Sequence, residues 1–351
     1  MKLAVGFITY KELTAKYLPF FLPSLKEALS LVEAKFSHDY SCQILAVDNS
    51  VTFDNENIVY IKNNFPEVKL TVAPENLGFS RAYNLMIEDA FKSGAEYFLM
   101  INPDTILDVD SILKLIISLE DNIDYGAVTP RLLRWDFINN IKTDVIDSDG
   151  LEINAGFRAR DRHQGLKISD VAISSGPVFG FTGAAVLIRM TALQGVAFAV
   201  NGKKQYLDEL MFMYKEDVDL SWRLRLDGWE IFLDLDALVY HDRTGAGAKG
   251  IWEKIKNRIY KSKNLKAWSF LNQQIIFLKY INLPWSAGLK IKARLWQVRD
   301  LIFLAVFEPS RGKQFFQLLS LKSQINLRAS DLRLRIRTKN NLKNVEKWLK
   351  K

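Results

Sequence analysis

The chain predicts an α/β fold, a mostly parallel sheet with helices on both faces, followed by a basic, aromatic-rich helical extension. Within 1–250, short apolar runs alternate with longer amphipathic stretches, the strand-helix-strand order that a parallel sheet requires. At 351 residues and 48% hydrophobic content, the chain can bury one large core plus an appendage. Charge is split: residues 1–251 carry 25 Lys+Arg against 35 Asp+Glu, whereas 252–351 carry 23 against 5. The net charge of +8 therefore belongs to the tail, and the boundary is placed at 250.

Taken in order, the runs at 3–9, 43–48, 68–72, 97–101 and 126–129 read as strands. The stretches at 18–36, 54–65, 79–92 and 109–120 read as the intervening helices. The fourth run, Tyr97 to Ile101, is apolar throughout and bounded by Gly94 and Pro103, as befits a strand buried on both faces. From Thr143 the pattern changes. Asp147, Asp149, Gly150, Asn154 and Gly156 punctuate a hairpin-like piece, and 158–175 reads as a polar, mobile loop. An apolar run (178–190), a helix (217–226) and a strand (230–240) complete the first 250 residues. No internal repeat is visible.

The extension is not low-complexity. Trp252, Trp268, Phe270, Phe277, Trp285 and Trp296 are spread among its cations, a composition that suits helices lying on an anionic membrane surface. An ordinary solvated helical tail is the plainer reading. Nucleic acid is disfavoured, since no zinc-finger, KH or RRM signature accompanies the basic residues. The longest late apolar run, 301–307, is too short to cross a bilayer. Lone Cys42 allows no intrachain disulfide, and the chain opens on a strand-like run rather than a secretory h-region, so a cytosolic location is expected.

The chemistry-bearing motifs fall at strand ends. Asp104, in Asn102-Pro103-Asp104, lies just past the fourth strand, at the edge where open α/β sheets bind ligands. With Asn102 it can reach a hard cation bridging phosphate oxygens, or it simply closes a proline turn. Asp48 ends the second strand at the same edge and can accept from the imide N–H of a uracil or thymine ring; an Asx turn is the plainer reading. Asn76-Leu77-Gly78-Phe79-Ser80-Arg81 enters a helix whose free N–H groups, with Arg81, offer a diphosphate site. Asp217 sits at a helix start where the dipole favours its ionised form, as a general base or merely an acidic cap with Trp222 in the core. His241 ends a strand and can ligate a metal or bind phosphate, while His38 and His163 receive no role. Neither a G-x-G-x-x-G turn nor a P-loop is present.

In this order the motifs resemble glycosyltransferase family 2, the inverting GT-A type enzymes, and in particular their rhamnosyltransferase-like bacterial branch, over residues 1–250. The resemblance implies nucleotide contacts at Thr9, Tyr10 and Asp48, a donor element at Asn76, Gly78 and Arg81, and a D-x-D-like metal motif at Asn102 and Asp104. It places Thr182, Gly183, Glu216 and Trp222 near the donor sugar and acceptor. Asp217 takes the place of the catalytic base and His241 that of a metal ligand. The first acid of D-x-D is Asn102 here, a weaker cation ligand.

The implied cofactor is Mg²⁺ or Mn²⁺. Implied partners are a dTDP- or UDP-sugar donor and a glycan or lipid-linked glycan acceptor, with dTDP-rhamnose as first donor and UDP-sugars behind it. The tail adds an expected peripheral location on the inner face of the cell membrane, in surface polysaccharide synthesis. A sugar-nucleotide pyrophosphorylase is a poorer fit, because Tyr10-Lys11-Glu12-Leu13, not a Gly-rich basic loop, follows strand one. A non-catalytic glycan- or lipid-binding protein is the remaining alternative.

Overall fold

The computed structural model describes residues 1–243, 263–307, 313–336 and 339–349. The boundary expected at 250 and Trp252 lie outside the described residues, as do the side chains of His38, Phe303 and Phe307.

The first half runs β1 (Lys2–Thr9), α1 (Lys11–Ala15), α2 (Leu18–Phe36), β2 (Ser41–Asp48), α3 (Glu56–Asn64), β3 (Lys69–Val72), α4 (Gly78–Lys92), β4 (Tyr97–Ile101), β5 (Thr105–Leu107) and α5 (Ser111–Glu120). Period-two alternation divides the strands between two cores. In β1, Leu3, Val5 and Phe7 face α2 and α5, whereas Ala4 faces α4. In β4, Tyr97, Leu99 and Ile101 take the first side, and Phe98 and Met100 the second. Gly6 has no side chain because the Phe98 ring crosses its face.

The second half adds β6 (Tyr125–Asp136), β7 (Ile141–Ser148), β8 (Leu151–Ile153), β9 (Ala159–Asp161), β10 (Gly176–Pro177), β11 (Ala185–Arg189), α6 (Met190–Val196), β12 (Phe198–Val200), β13 (Lys203–Gln205), α7 (Glu216–Asp227) and β14 (Glu230–His241). The main sheet has the order β3-β2-β1-β4-β11-β6-β14-β10. The pairs β2/β3, β1/β2, β1/β4 and β6/β14 are parallel, while β11 is inserted antiparallel between β4 and β6. Helices cover both faces, as the sequence predicts.

Three local expectations are corrected. The strand expected at 126–129 continues to Asp136, because β14 slips register opposite Pro130 and Arg131 and so tolerates the missing N–H. The expected 178–190 run breaks at Thr182-Gly183, leaving β11 followed directly by α6. The head of the expected mobile loop is strand β9, paired with β8 and anchored by Arg158–Asp300 (2.6 Å) and Arg243–Asp161 (2.8 Å).

The extension forms α8 (Lys263–Tyr280), α9 (Ala287–Phe307), α10 (Lys313–Arg335) and α11 (Lys339–Trp348). Its apolar residues are mostly not on the surface. Leu271, Ile275, Ile276, Phe277, Trp285 and Leu289 join Phe157, Phe179 and Trp222 in a third core that the extension shares with the sheet domain. Two of its cations are buried as well. Lys279 is fully buried and donates to Asp208 (2.7 Å) and Asp219, while Arg328 reaches Asp208 (2.6 Å) and Gln205 (2.9 Å). Arg223 and Tyr280 also bind Asp219, at 2.9 and 2.8 Å. Those side chains therefore serve packing, contrary to the surface role their composition implies.

Candidate active site

The carboxyl ends of β1, β2, β4 and β14 bring most of the singled-out residues to one edge. At β4, the Asn102 N–H donates to the Ala184 carbonyl (2.9 Å), and Thr105 Oγ1 caps the Asn102 carbonyl (2.6 Å). Next to Ala184, the Gly183 N–H donates to Asp217 Oδ2 (2.9 Å). The bend before β11 thus ties the Asn102–Asp104 turn to the start of α7. A side chain at Gly183 would press on Phe79, its Cβ 3.1 Å from the ring.

The carboxylate pair opening α7 is aimed by an unusual backbone. Tyr214 and Lys215 take φ values of +71° and +69°, left-handed conformations disfavoured for residues with a Cβ. Asn272 of α8 holds this turn by donating to the carbonyls of Met213 (2.9 Å) and Tyr214 (2.7 Å). Sequence reasoning missed Asn272, which carries no local signal. Burial raises the Asp217 pKa, against the pull of the Gly183 and Val218 N–H groups. Burial and the adjacent Asp217 push Glu216 well above the carboxylate range, and its Oε2 has no hydrogen-bond partner. The raised Asp217 is a stronger base than a free aspartate, as proton abstraction requires.

The ends of β4 and β14 supply a carboxylate-histidine pair. Asp104 Oδ2 lies 3.4 Å from His241 Nε2, and Asp104 Oδ1 is buried without a hydrogen-bond partner. His241 Nδ1 lies 2.8 Å from Asp147 Oδ2, which fixes the ring so that Nε2 faces Asp104. Burial would lower the His241 pKa, but Asp104 and Asp147 outweigh it and push it up to about 10. Burial likewise opposes ionisation of Asp147, but His241 and Arg243 hold its carboxyl below the usual range. Asp147 was legible only as turn punctuation, so its place behind His241 was missed. His163, given no role, lies 2.9 Å from Asp149, which also pairs with Arg131 at 2.8 Å.

Among the described residues no cluster of three or more His, Cys, Asp or Glu side chains forms a self-standing metal centre. The orphaned Asp104 oxygen nevertheless fits a hard cation that takes its other ligands from water and a substrate diphosphate, and His241 would join it only as neutral imidazole, giving up the proton that Asp104 and Asp147 favour.

Other sequence-assigned residues hold the loops. Asp48 is fully buried and accepts from Thr9 Oγ1 (2.6 Å), the Ser50 N–H (3.1 Å), Ser50 Oγ (3.0 Å) and Asn55 (2.9 Å). A nucleobase reaching it has to displace one of these donors. Tyr10 caps α1, its N–H donating to Thr14 Oγ1 (2.7 Å). Asn76 accepts from the Gly78 N–H (2.9 Å), and Gly78, at φ +70°, lies against Phe212. The Phe79 N–H is taken by the Phe212 carbonyl (2.7 Å), so the start of α4 is partly closed to a diphosphate.

Two expectations fail. Arg81 is exposed and pairs with Glu75 (2.8 Å) instead of turning to the site. Trp222 is fully buried, stacked on Tyr280 at 4.8 Å, and has no surface for a sugar. Val218, Trp222 and Leu226, spaced by four, all enter the third core, and that periodicity was the available signal.

No protein-family model matches the chain, and no curated protein matches it in sequence. Solved structures match it in fold. S. aureus TarS 1-349 in complex with UDP-GlcNAc aligns at 14% identity and a TM-score of 0.52, covering 99% of this chain and 91% of that one. GalNAc-T7 with UDP, GalNAc and Mn²⁺ aligns at 12% identity and a TM-score of 0.51, covering 84% of this chain. The match covers 54% of that chain, so this protein spans about half the length of GalNAc-T7. The likeness establishes a GT-A glycosyltransferase fold.

Proposed function

We propose that the protein is an inverting glycosyltransferase, of the family 2 type, that moves a sugar from a nucleotide-diphosphate donor to a hydroxyl of a glycan or lipid-linked glycan. One observation carries this reading: the Gly183-Ala184 bend joins a half-buried base, Asp217, to the edge that bears Asp104 and His241. Asp217 takes the proton from the acceptor hydroxyl, whose oxygen bonds to the anomeric carbon. The bond from that carbon to the β-phosphate oxygen breaks on the opposite face, and its electron pair leaves with the nucleoside diphosphate. Asp104 and His241 would hold Mg²⁺ or Mn²⁺, which neutralises the charge developing on the diphosphate. Asp147 orients His241, Glu216 flanks the base with an Oε2 left unpartnered for a sugar hydroxyl, and Asn272 holds the turn that aims the pair.

In this reading residues 1–250 are the catalytic unit and 251–351 associate with the membrane, in bacterial surface polysaccharide synthesis. dTDP-rhamnose is the first donor to try, supported by the Asn102-Pro103-Asp104 form of the metal motif. That TarS was solved with UDP-GlcNAc and GalNAc-T7 with UDP makes UDP-sugars the next. Thermal stability is measured against a panel of nucleotide sugars with and without Mn²⁺. A binder at 100 times its Kd stabilises the fold by about 2.7 kcal/mol, and that gain should require the metal. No stabilisation by any dTDP-, UDP- or GDP-sugar would remove the reading.

A further inference from the structure

Among the described residues no helix is long and apolar enough to cross a membrane. Helix α9 nevertheless carries an unpartnered apolar row. Ile291, Leu295, Val298, Ile302 and Val306 are each between 52% and 65% exposed. At about 100° per residue they fall within roughly 40° of one line. They span about 22 Å at 1.5 Å per residue. Cations border the row on both sides, with Lys292 and Arg299 along one flank and Lys290 and Arg294 along the other. The opposite side of the helix is occupied: Leu289 and Ala293 are buried in the third core, and Trp296 covers Gly156. The acid Asp300 is turned inward to Arg158 at 2.6 Å and also accepts from the flanking Arg299 at 3.0 Å.

We infer that this outer face of α9 docks on an anionic lipid surface, a deepening that rests on the membrane-associated glycosyltransferase reading above. An apolar row flanked by lysine and arginine matches such a surface, since the row enters the acyl boundary while the cations reach anionic headgroups. A partner helix of the same kind would bring like charges together along both flanks. Helix α10 is a weaker candidate, because its outer apolar residues Phe316, Leu319, Leu327 and Leu334 are interrupted by Ser323 and Ser330. Docking through α9 also orients the site. Arg158 joins α9 to the strand containing its neighbour Asp161, and Asp161 pairs with Arg243, which reaches Asp147 behind His241. The helix thus carries the cleft to where a lipid-linked acceptor would lie.

The test is flotation of the full chain with phosphatidylglycerol/phosphatidylcholine vesicles and with phosphatidylcholine alone. The parent should float with the anionic vesicles and be released by high salt. Leu295→Gln with Ile302→Gln should lower partitioning at least tenfold. Lys292→Glu with Arg294→Glu should lower it only on anionic vesicles. These side chains are solvent-exposed, so melting temperature and nucleotide-sugar binding should match the parent. Equal flotation of parent and variants, or no flotation of the parent, overturns the inference. So does a parent dimer that Leu295→Gln with Ile302→Gln makes monomeric, which would assign the face to a second copy. Loss of nucleotide-sugar binding with intact flotation would overturn the glycosyltransferase reading and leave the surface standing.

Discussion

Lys279→Met removes the cation that ties the extension to the sheet domain. The fully buried ammonium bridges Asp208 and Asp219, themselves fully buried. Each aspartate keeps other donors: Asp208 retains Arg328 (2.6 Å) and Asp219 retains Arg223 (2.9 Å) and Tyr280 (2.8 Å). Two charge-assisted hydrogen bonds at about 1.5–3 kcal/mol each are lost, a range that overlaps the roughly 3–5 kcal/mol of a broken buried pair. The two arginines that remain still balance the two carboxylates, which places the expected loss near the lower end, at about 3 kcal/mol. Urea unfolding followed by tryptophan fluorescence measures it, since Trp222 lies in the shared core. Adding Asp219→Asn should recover part of the loss, because it removes a carboxylate deprived of its partner. A loss below about 1 kcal/mol would mean that the clamp contributes no more than a surface pair.

Three further outcomes follow. Burial opposes ionisation of Asp219, but Lys279 and Arg223 outweigh it and lower its pKa, so its contribution is present above the unfolded value of about 3.9 and lost as pH falls through the lower folded value. Acid unfolding curves should therefore show less pH dependence in Lys279→Met than in the parent. Asp147→Asn should weaken Mn²⁺ binding about 10- to 100-fold by calorimetry in the presence of nucleoside diphosphate, because a neutral amide replaces the carboxylate that orients the His241 ring and raises its basicity as a ligand. Asn272→Ala should lower kcat at least tenfold with little change in donor affinity, since it frees the Tyr214-Lys215 turn but leaves Asp104 and His241 in place; equal loss of both would refute that role.

The parallel sheet was legible because its strands declare themselves locally. Tyr97 to Ile101 is apolar throughout and ends at Pro103, and the structure gives β4 those bounds. Asp104, Asp217 and His241 could be placed from sequence at strand ends and a helix start, because those positions fix where the chain presents a side chain. Arg81 was misjudged because a helix entrance does not specify which way a long side chain turns, and Glu75 is close enough to take it. Lys279 and Arg328 look like surface cations in sequence. Their partners, Asp208 and Asp219, lie 60 to 120 residues away, a pairing only tertiary structure sets. Asp147 and Asn272 were hidden for the same reason.

The most direct test of the account is the stereochemistry of transfer. With a stabilising nucleotide sugar, Mn²⁺ and a hydroxyl acceptor, NMR of the product should show a glycosidic linkage of the anomeric configuration opposite to the donor's. Asp217→Asn should lower kcat at least a thousandfold while donor binding persists. Retention of configuration, or near-normal transfer by Asp217→Asn, would contradict the assignment of Asp217 as the base of a single displacement.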